Sequence, residues 1–568
     1  MIEGAAALLH KYPELSLFLS IVLGHVIGAW HVKGVGFGNV VGTLIAGIGI
    51  GIFAKPDLPE LLRWSFFYLF LFSIGYSIGP QFFGNLKKEA LPQIALAGIV
   101  AVTGLATVIA VSALLDFDEG IAVGLLSGGM TQSASLGTGL NAIDELAISE
   151  EAKTTLSAHA PLADAITYGF GDLGLILFLT WLGPKLMAAD LRKEAKAMEE
   201  QLSGGRPAAD RANPSFGLRA HRVESPSIAG LSVAQFEERF AEGRLSVQRI
   251  RRGKELVEAA QDLEIQHGDV VAVVGRRAAL VMLEKEVGPE VDDGDLLAVP
   301  IKSVALVITR SDVAGKTIEQ LASNHDIARG VYVQSIDRGE VEIPREEWTV
   351  IERGDIVRLM GAPADVDRAA KHGGFVERDL AKTDLAFLAA GICSGVLLGM
   401  LQFKVGDAAL GLGTSGSILL VGLLAGWARS RYPVFGAIPV PAQRLLMDIG
   451  LTVFIAVVGL KAGPHALEAY EKSGGSFFAS IFLGGMVVTV LPLAAGAFFA
   501  RKILGMNPMM AMGALAGAQT CTPGLNALRE ASGSNVGALA YTVPYAIGNI
   551  VLTLWGPVVV AIMHAIRS

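Results

Sequence analysis

Two short segments place glycine beside hydroxyl and amide side chains inside otherwise apolar sequence: Gly128-Gly129-Met130-Thr131-Gln132-Ser133 and Gly517-Ala518-Gln519-Thr520-Cys521-Thr522. Each is too polar to face lipid and too apolar for an ordinary surface loop. Non-helical backbone at membrane depth survives only inside protein or along a watery cavity, because hydrocarbon offers its N–H and C=O groups no partner. Both segments therefore read as re-entrant hairpins, about 119–143 and 508–530, whose tips meet and hold a substrate. The chemistry they suit is carboxylate recognition. Half-helix N-termini supply unpaired N–H groups and the positive end of a helix dipole without burying a full cation. Gly128, Gly129 and Gly517 let the backbone approach a ligand, while Thr131, Gln132, Ser133, Ser135, Gln519, Thr520, Cys521 and Thr522 supply hydroxyl, amide and thiol groups. Pro523 and Asn526 fit a helix that breaks and restarts. The plainer account is that these small residues only pack helices, as Gly47 and Gly51 do at their four-residue spacing. The mirrored occurrence of two polar clusters favours the binding reading.

Charges within apolar runs are the next candidates, because an ionisable group in a span is costly unless it has work to do. Asp172 lies near the middle of the run 159–187, where it suits a substrate ammonium, a proton or a buried cation. Lys461, two residues before Gly463-Pro464, either attracts a carboxylate or snorkels to the interface. Asp164 and His159 fall nearer the outer end of their run, where solvation accounts for them; Tyr168 and Asn549 are supporting donors. Gly36-x-Gly38 is followed by Val41 where a dinucleotide fingerprint requires its third glycine. His-Glu-x-x-His, Gly-x-Ser-x-Gly and P-loop patterns are absent from the sequence. A transporter is expected rather than an enzyme, with no cofactor, metal or nucleic-acid partner.

The elements that must position these residues follow from hydropathy. Hydrophobic residues make up 52% and charged ones 18% of 568, with 68 glycines and a mean hydropathy of +0.50. The class is a polytopic α-helical membrane protein embedded in a lipid bilayer. The net charge of −8 gathers in a soluble insert, and Cys393 and Cys521, far apart in apolar surroundings, suggest no disulfide framework. Spans are expected at about 15–32, 37–54, 63–80, 92–115 and 159–187, then 384–404, 412–428, 445–463, 476–499 and 537–563. Domains follow: 1–187 as the first repeat, 188–214 as a linker, 215–290 and 291–378 as two soluble modules, and 379–568 as the second repeat.

The halves echo each other. Phe37-Gly38, Gly47 and Gly51 match Leu412-Gly413, Gly422 and Gly426; Gly75, Gly79-Pro80 match Gly459, Gly463-Pro464; Trp181-Leu182-Gly183-Pro184 matches Trp555-Gly556-Pro557. With the insert placed inside, Lys33, Lys87, Lys88, Arg192, Lys193, Arg429, Arg431, Arg501 and Lys502 fall on cytoplasmic loops, with Lys55, Arg63 and Lys153 as exceptions. Both termini then lie on the periplasmic side. Five spans per half give inverted repeats, the arrangement of many secondary transporters. The insert is itself duplicated: Arg252-Gly253 and Gly268-Asp269 recur as Arg338-Gly339 and Gly354-Asp355, suggesting two small α/β modules.

These motifs together resemble the aspartate:alanine exchanger family, in which two five-span repeats flank a pair of TrkA-C (RCK-C) modules. Coverage is nearly the full chain. The Gly-Gly-Met-Thr-Gln-Ser and Gly-Ala-Gln-Thr-Cys-Thr-Pro segments are similar to the family's paired hairpin motifs, and the Arg-Gly…Gly-Asp repeats to TrkA-C modules. The resemblance implies antiport of small amino acids or dicarboxylates, aspartate for alanine being the type, by an elevator motion across a bacterial inner membrane. It implies a homodimer, and a small regulatory ligand on cytoplasmic modules. Two other readings stay open from the residues: a cation/proton antiporter centred on Asp172, and an ion channel gated through its RCK-type modules.

Overall fold

The computed structural model describes residues 2–29, 31–32, 35–36, 38–84, 90–202, 216–339, 341–377, 383–401, 403–405, 408–410, 413–432 and 436–568. Lys33, Phe37, Lys87, Lys88, Leu412 and most of the expected linker, 203–214, lie outside these residues. The chain forms two compact units, Met1–Glu199 with Leu380–Ser568, and Glu200–Asp379.

Six helices of the first unit are long and apolar enough to cross a bilayer among the described residues: Glu60–Pro80, Leu91–Leu114, Glu150–Leu186, Val440–Glu468, Gly474–Lys502 and Thr542–Arg567. Three of the four first and second runs are shorter than the sequence suggests, and the fourth, Gly413–Arg431, continues past its expected end at 428. They form Pro13–Gly28 and Asn39–Ala54 in one half, and Leu385–Gly399 and Gly413–Arg431 in the other. Between them the chain turns into small antiparallel ribbons, His31–Val32 with Val35–Gly36 and Phe403–Val405 with Ala408–Leu410. Apolar residues in those ribbons read as helix by hydropathy, which is why the first expected span of each half ran on to 32 and 404. Sixteen helical residues such as Asn39–Ala54 cover only about 24 Å, short of a hydrocarbon core of roughly 30 Å.

The glycines matched in sequence are where helices of the two halves cross. Gly75 and Gly79 lie against the carbonyls of Leu419 and Leu423, and Gly459 and Gly463 against those of Leu44 and Ile48. Reciprocally, Gly47 and Gly51 meet the carbonyls of Ala456 and Leu460, and Gly422 and Gly426 those of Phe72 and Tyr76. A Cβ at these eight positions would stand 2.0–3.1 Å from oxygen. Larger residues would force the helices apart and dissolve the frame that carries the hairpins.

Among its described residues the second unit holds two antiparallel sheets. One orders the strands Phe216–Arg222, Val270–Arg276, Ser246–Arg252 and Glu255–Glu258; the other orders Gly374–Glu377, Lys302–Ile308, Ile356–Gly361, Val331–Arg338 and Val341–Glu342. Each has its own apolar core, around Phe236, Val271 and Leu280 in the first and around Leu306, Ile336 and Val357 in the second. The duplicated motif has a physical meaning. Arg252 grips Asp269 with two hydrogen bonds and donates to the Glu264 carbonyl, while Arg338 grips Asp355 and donates to that of Val350. Asp269 and Asp355 in turn accept from the amides of Gln266 and Glu352. Each aspartate thus ties a turn to the strand that ends in its arginine. Across the two modules, Arg329 binds Glu237 at 2.8 and 3.0 Å and Asp365 at 3.2 Å.

Candidate functional site

Both expected hairpins are pairs of helices joined by a break. The first runs Glu119–Gly129 and Ser133–Asp144; the second runs Pro508–Ala518 and Thr522–Ser532. Asp118 caps the first arm of one by accepting from the Ile121 amide, and Asn507 caps the other by accepting from the Met509 amide. The breaks share one geometry. Gln132 N–H reaches back to Ser127 O at 2.8 Å and Thr131 N–H to Gly128 O at 3.3 Å. Cys521 N–H reaches Ala516 O at 3.0 Å and Thr520 N–H reaches Gly517 O at 2.8 Å. Closing such a turn needs a left-handed residue, and each break uses a threonine for it, Thr131 at φ 53° and Thr520 at φ 56°. A β-branched residue is strained there. Strain of this kind persists only where surrounding contacts fix it, often at functional sites.

Those contacts cross between the hairpins. Thr131 Oγ1 donates to Gln519 O at 2.6 Å, and Thr520 Oγ1 donates to Thr131 O at 3.2 Å. The residues that follow each threonine reach out to a helix of the opposite half. Gln132 Nε2 donates to Asn549 Oδ1 at 3.2 Å, and Cys521 Sγ donates to Asp172 Oδ1 at 3.3 Å. Asp172 and Asn549 are matched by their surroundings, Tyr168-x-x-Gly171-Asp172 and Tyr545-x-x-Gly548-Asn549. Gly171 lies against Gly128 O, and Gly548 against Ala518 O. Gly128 in turn meets the Tyr168 amide and Gly517 the Tyr545 amide, so neither position accepts a side chain.

Gly128, Gly129, Thr131, Gln132, Ser133, Ser135, Gln519 and Cys521 are buried; Thr520, Thr522 and Asp172 are half-buried; Pro523 and Asn526 are exposed. The two second arms start at Ser133 and Thr522, and no side chain caps the first of them. Thr522 shares a 3.1 Å hydrogen bond with the Tyr541 hydroxyl. Ser135 Oγ donates to Gln132 O within its own turn at 2.7 Å. Gln519 donates its Nε2 to Thr489 O at 3.3 Å but its Oε1 meets no donor among the described residues. Lys461 stands apart: its ammonium pairs with Glu60, which also pairs with Arg63.

Two participants, Thr489 and Tyr541, escaped the sequence reading. Thr489 Oγ1 donates to Gly129 O at 2.9 Å, bracing the first break; its signal was a lone hydroxyl in the apolar run Met486 to Leu493. Tyr541 supports the second break. Asp164 needs a correction: solvation does not account for it, because it is 1% exposed with neither carboxylate oxygen bonded among the described residues. Its neighbour in that reading, His159, pairs with Asp118 at 2.5 Å.

Helical spans, two broken helix pairs and glycine-tight crossings define a multi-pass membrane transport protein. The family described as "Predicted Permease Membrane Region" matches residues 16–184 and 387–561, and the TrkA-C domain matches 218–288 and 304–372. The chain belongs to the aspartate:alanine exchanger permease family and carries two TrkA-C domains. It is 48% identical to a Bordetella parapertussis protein named "uncharacterized transporter", over 99% of this chain and 98% of that one. Proteins of the same printed description from Bradyrhizobium diazoefficiens and Shewanella oneidensis are 37% and 34% identical, each covered over at least 97% of both chains. No solved structure matches.

Proposed function

We propose that this transporter is a secondary antiporter that exchanges small amino acids or dicarboxylates, of the aspartate:alanine type, at a site formed by the two breaks. The observation that carries it is the reciprocal set of bonds: Thr131 to Gln519, Thr520 to Thr131, Gln132 to Asn549 and Cys521 to Asp172. Such reciprocity is what two inverted repeats meeting at one site would produce. The starts of the second arms at Ser133 and Thr522 would offer amide N–H groups to a carboxylate. Half-buried Asp172 would take the substrate ammonium, with Tyr168 and Asn549 in support. The pocket is built without Lys461, whose charge Glu60 satisfies.

In this reading the hairpins enter from opposite faces and travel together in an elevator cycle. The TrkA-C modules are cytoplasmic, the termini periplasmic, and the working unit a homodimer in the inner membrane. Two of the three exceptions to the charge bias are neutralised by ion pairs, Arg63 with Asp144 and Lys153 with Glu150. The test is uptake of labelled aspartate into proteoliposomes loaded with aspartate, alanine, succinate or buffer alone. Exchange requires uptake only when the lumen holds a partner solute. Uptake that ignores the lumen for every transported carboxylate rules exchange out.

A further inference from the structure

Asp164 sits in the helix Glu150–Leu177, two turns before Asp172. It is 1% exposed, and both carboxylate oxygens lack a hydrogen-bond partner among the described residues. The Ser127 hydroxyl, on the first arm of the first hairpin, is likewise buried and is the polar side chain that faces this carboxyl, outside full hydrogen-bond geometry. An ionised carboxylate without a partner in a protein interior costs several kcal/mol, roughly the effective desolvation penalty of one ion, and neutralising the group removes that cost. Titratable groups on this helix and on the elements packed against it pair with one another, while Arg444, Asp448, Arg501 and Lys502 lie towards the ends of Val440–Lys502 and Arg529 and Glu530 towards the end of Thr522–Ser532. His159 holds Asp118, Glu119 holds His564, Asp144 holds Arg63, Cys521 holds Asp172, Lys461 holds Glu60 and His465 faces Glu468. Tyr168, one turn along, is the titratable side chain nearest in sequence.

Packing does not require an acid here. Gly128 meets Asp164 O and the Tyr168 amide, and Gly517 meets Tyr541 O and the Tyr545 amide, so Tyr541 occupies the matched position in the other half. The residue matched to Ser127 is Ala516, since each carbonyl accepts the equivalent turn bond. The buried acid–hydroxyl pair is therefore peculiar to one half of the transport unit, beside Gly128 of the first break.

We infer that Asp164 is a proton-carrying group of the transport cycle, protonated in the conformation described here and deprotonated when the first hairpin shifts and water reaches it. The step balances simply: the Asp164 O–H bond breaks, its proton passes to water, and the carboxylate is left; on return, water gives the proton back. The inference requires transport but not the exchange mechanism proposed above.

The experiment uses the full chain in proteoliposomes containing a trapped pH dye, with aspartate, alanine and succinate as probes. The parent should move protons whenever a probe moves. Its rate should vary with pH by up to about tenfold per unit where one proton limits it. Asp164→Asn, which mimics the neutral acid, should keep the fold and lose both the proton flux and the pH dependence, while Ser127→Ala should keep proton flux with a displaced pH profile. Should Asp164→Asn transport nothing, infrared difference spectroscopy reads the same point: a protonated-carboxyl band in the parent that is missing from the variant supports the assignment, and an unchanged band overturns it. Proton flux undiminished in Asp164→Asn overturns it, as does a parent that transports a probe without moving protons, or that needs sodium instead. Failure of exchange alone would show as uptake that ignores the lumen and leaves the proton readout intact.

Discussion

The threonine at the first break allows strain and hydrogen bonding to be separated by substitution. Thr131→Val keeps the volume, the β-branch and the left-handed φ of 53°, and removes only the hydroxyl. Its acceptor, Gln519 O, belongs to a residue that is 0% exposed, so the carbonyl loses a donor that water cannot readily replace. Leaving a buried group unsatisfied costs about 1–3 kcal/mol. Thr131→Gly loses the same bond but relieves left-handed strain of about 1–2 kcal/mol. It also frees the unfolded chain, which costs about 0.5–1 kcal/mol. The difference leaves glycine less harmful than valine by roughly half a kcal/mol to one. The order of melting temperature in detergent should therefore be parent, then Thr131→Gly, then Thr131→Val. Thr131→Val melting at or above the parent would refute the bond between hairpins; glycine melting well below valine would refute the strain.

Further outcomes follow from other contacts. Asp172→Asn should abolish transport of amino acids while sparing dicarboxylates that carry no ammonium, read by uptake of alanine against succinate; equal loss of both would remove the proposed ammonium role. Arg338→Ala should lower the stability of the second unit by more than Arg252→Ala, because the Arg338 side chain is 7% exposed against 35% for Arg252. Breaking a buried pair costs about 3–5 kcal/mol, and equal melting shifts would contradict the buried-pair account. Hydrogen bonds from Arg251 hold the Asp293 carboxyl below its usual range. A depressed carboxylate contributes stability above its unfolded value of about 3.9 and loses it as pH falls through the lower folded value. Arg251→Gln should flatten that acid loss in a melting profile taken across the acid range; an unchanged profile would contradict it.

Much of this architecture is legible in the sequence because tight packing leaves a residue-type record. Gly47, Gly51, Gly75, Gly79 and their counterparts are glycine because carbonyls of the other half press on them. The two breaks are legible because Gly-x-x-Thr followed by a polar side chain is rare inside apolar runs. What was not legible depends on pairing in space. Hydropathy alone cannot tell that the Lys461 ammonium meets Glu60, nor that Asp164, near what looked like a wet helix end, is covered by the first hairpin. The small strand pairs His31–Val32 with Val35–Gly36 and Phe403–Val405 with Ala408–Leu410 were missed because short apolar β-segments and helix ends share a composition.

The central claim is that the starts of the two second arms hold the carboxylate, the Ser133 and Thr522 hydroxyls donating to it beside the amide N–H groups. A ligand that binds only the folded state stabilises it by about 2.7 kcal/mol at a hundred times its Kd. The direct measurement is therefore the thermal shift given to the purified full chain by aspartate, alanine or succinate, repeated in Ser133→Ala, Thr522→Val and the pair combined. The account predicts a shift in the parent that shrinks in each single variant and shrinks furthest in the double one. A full shift retained by the folded double variant would contradict it.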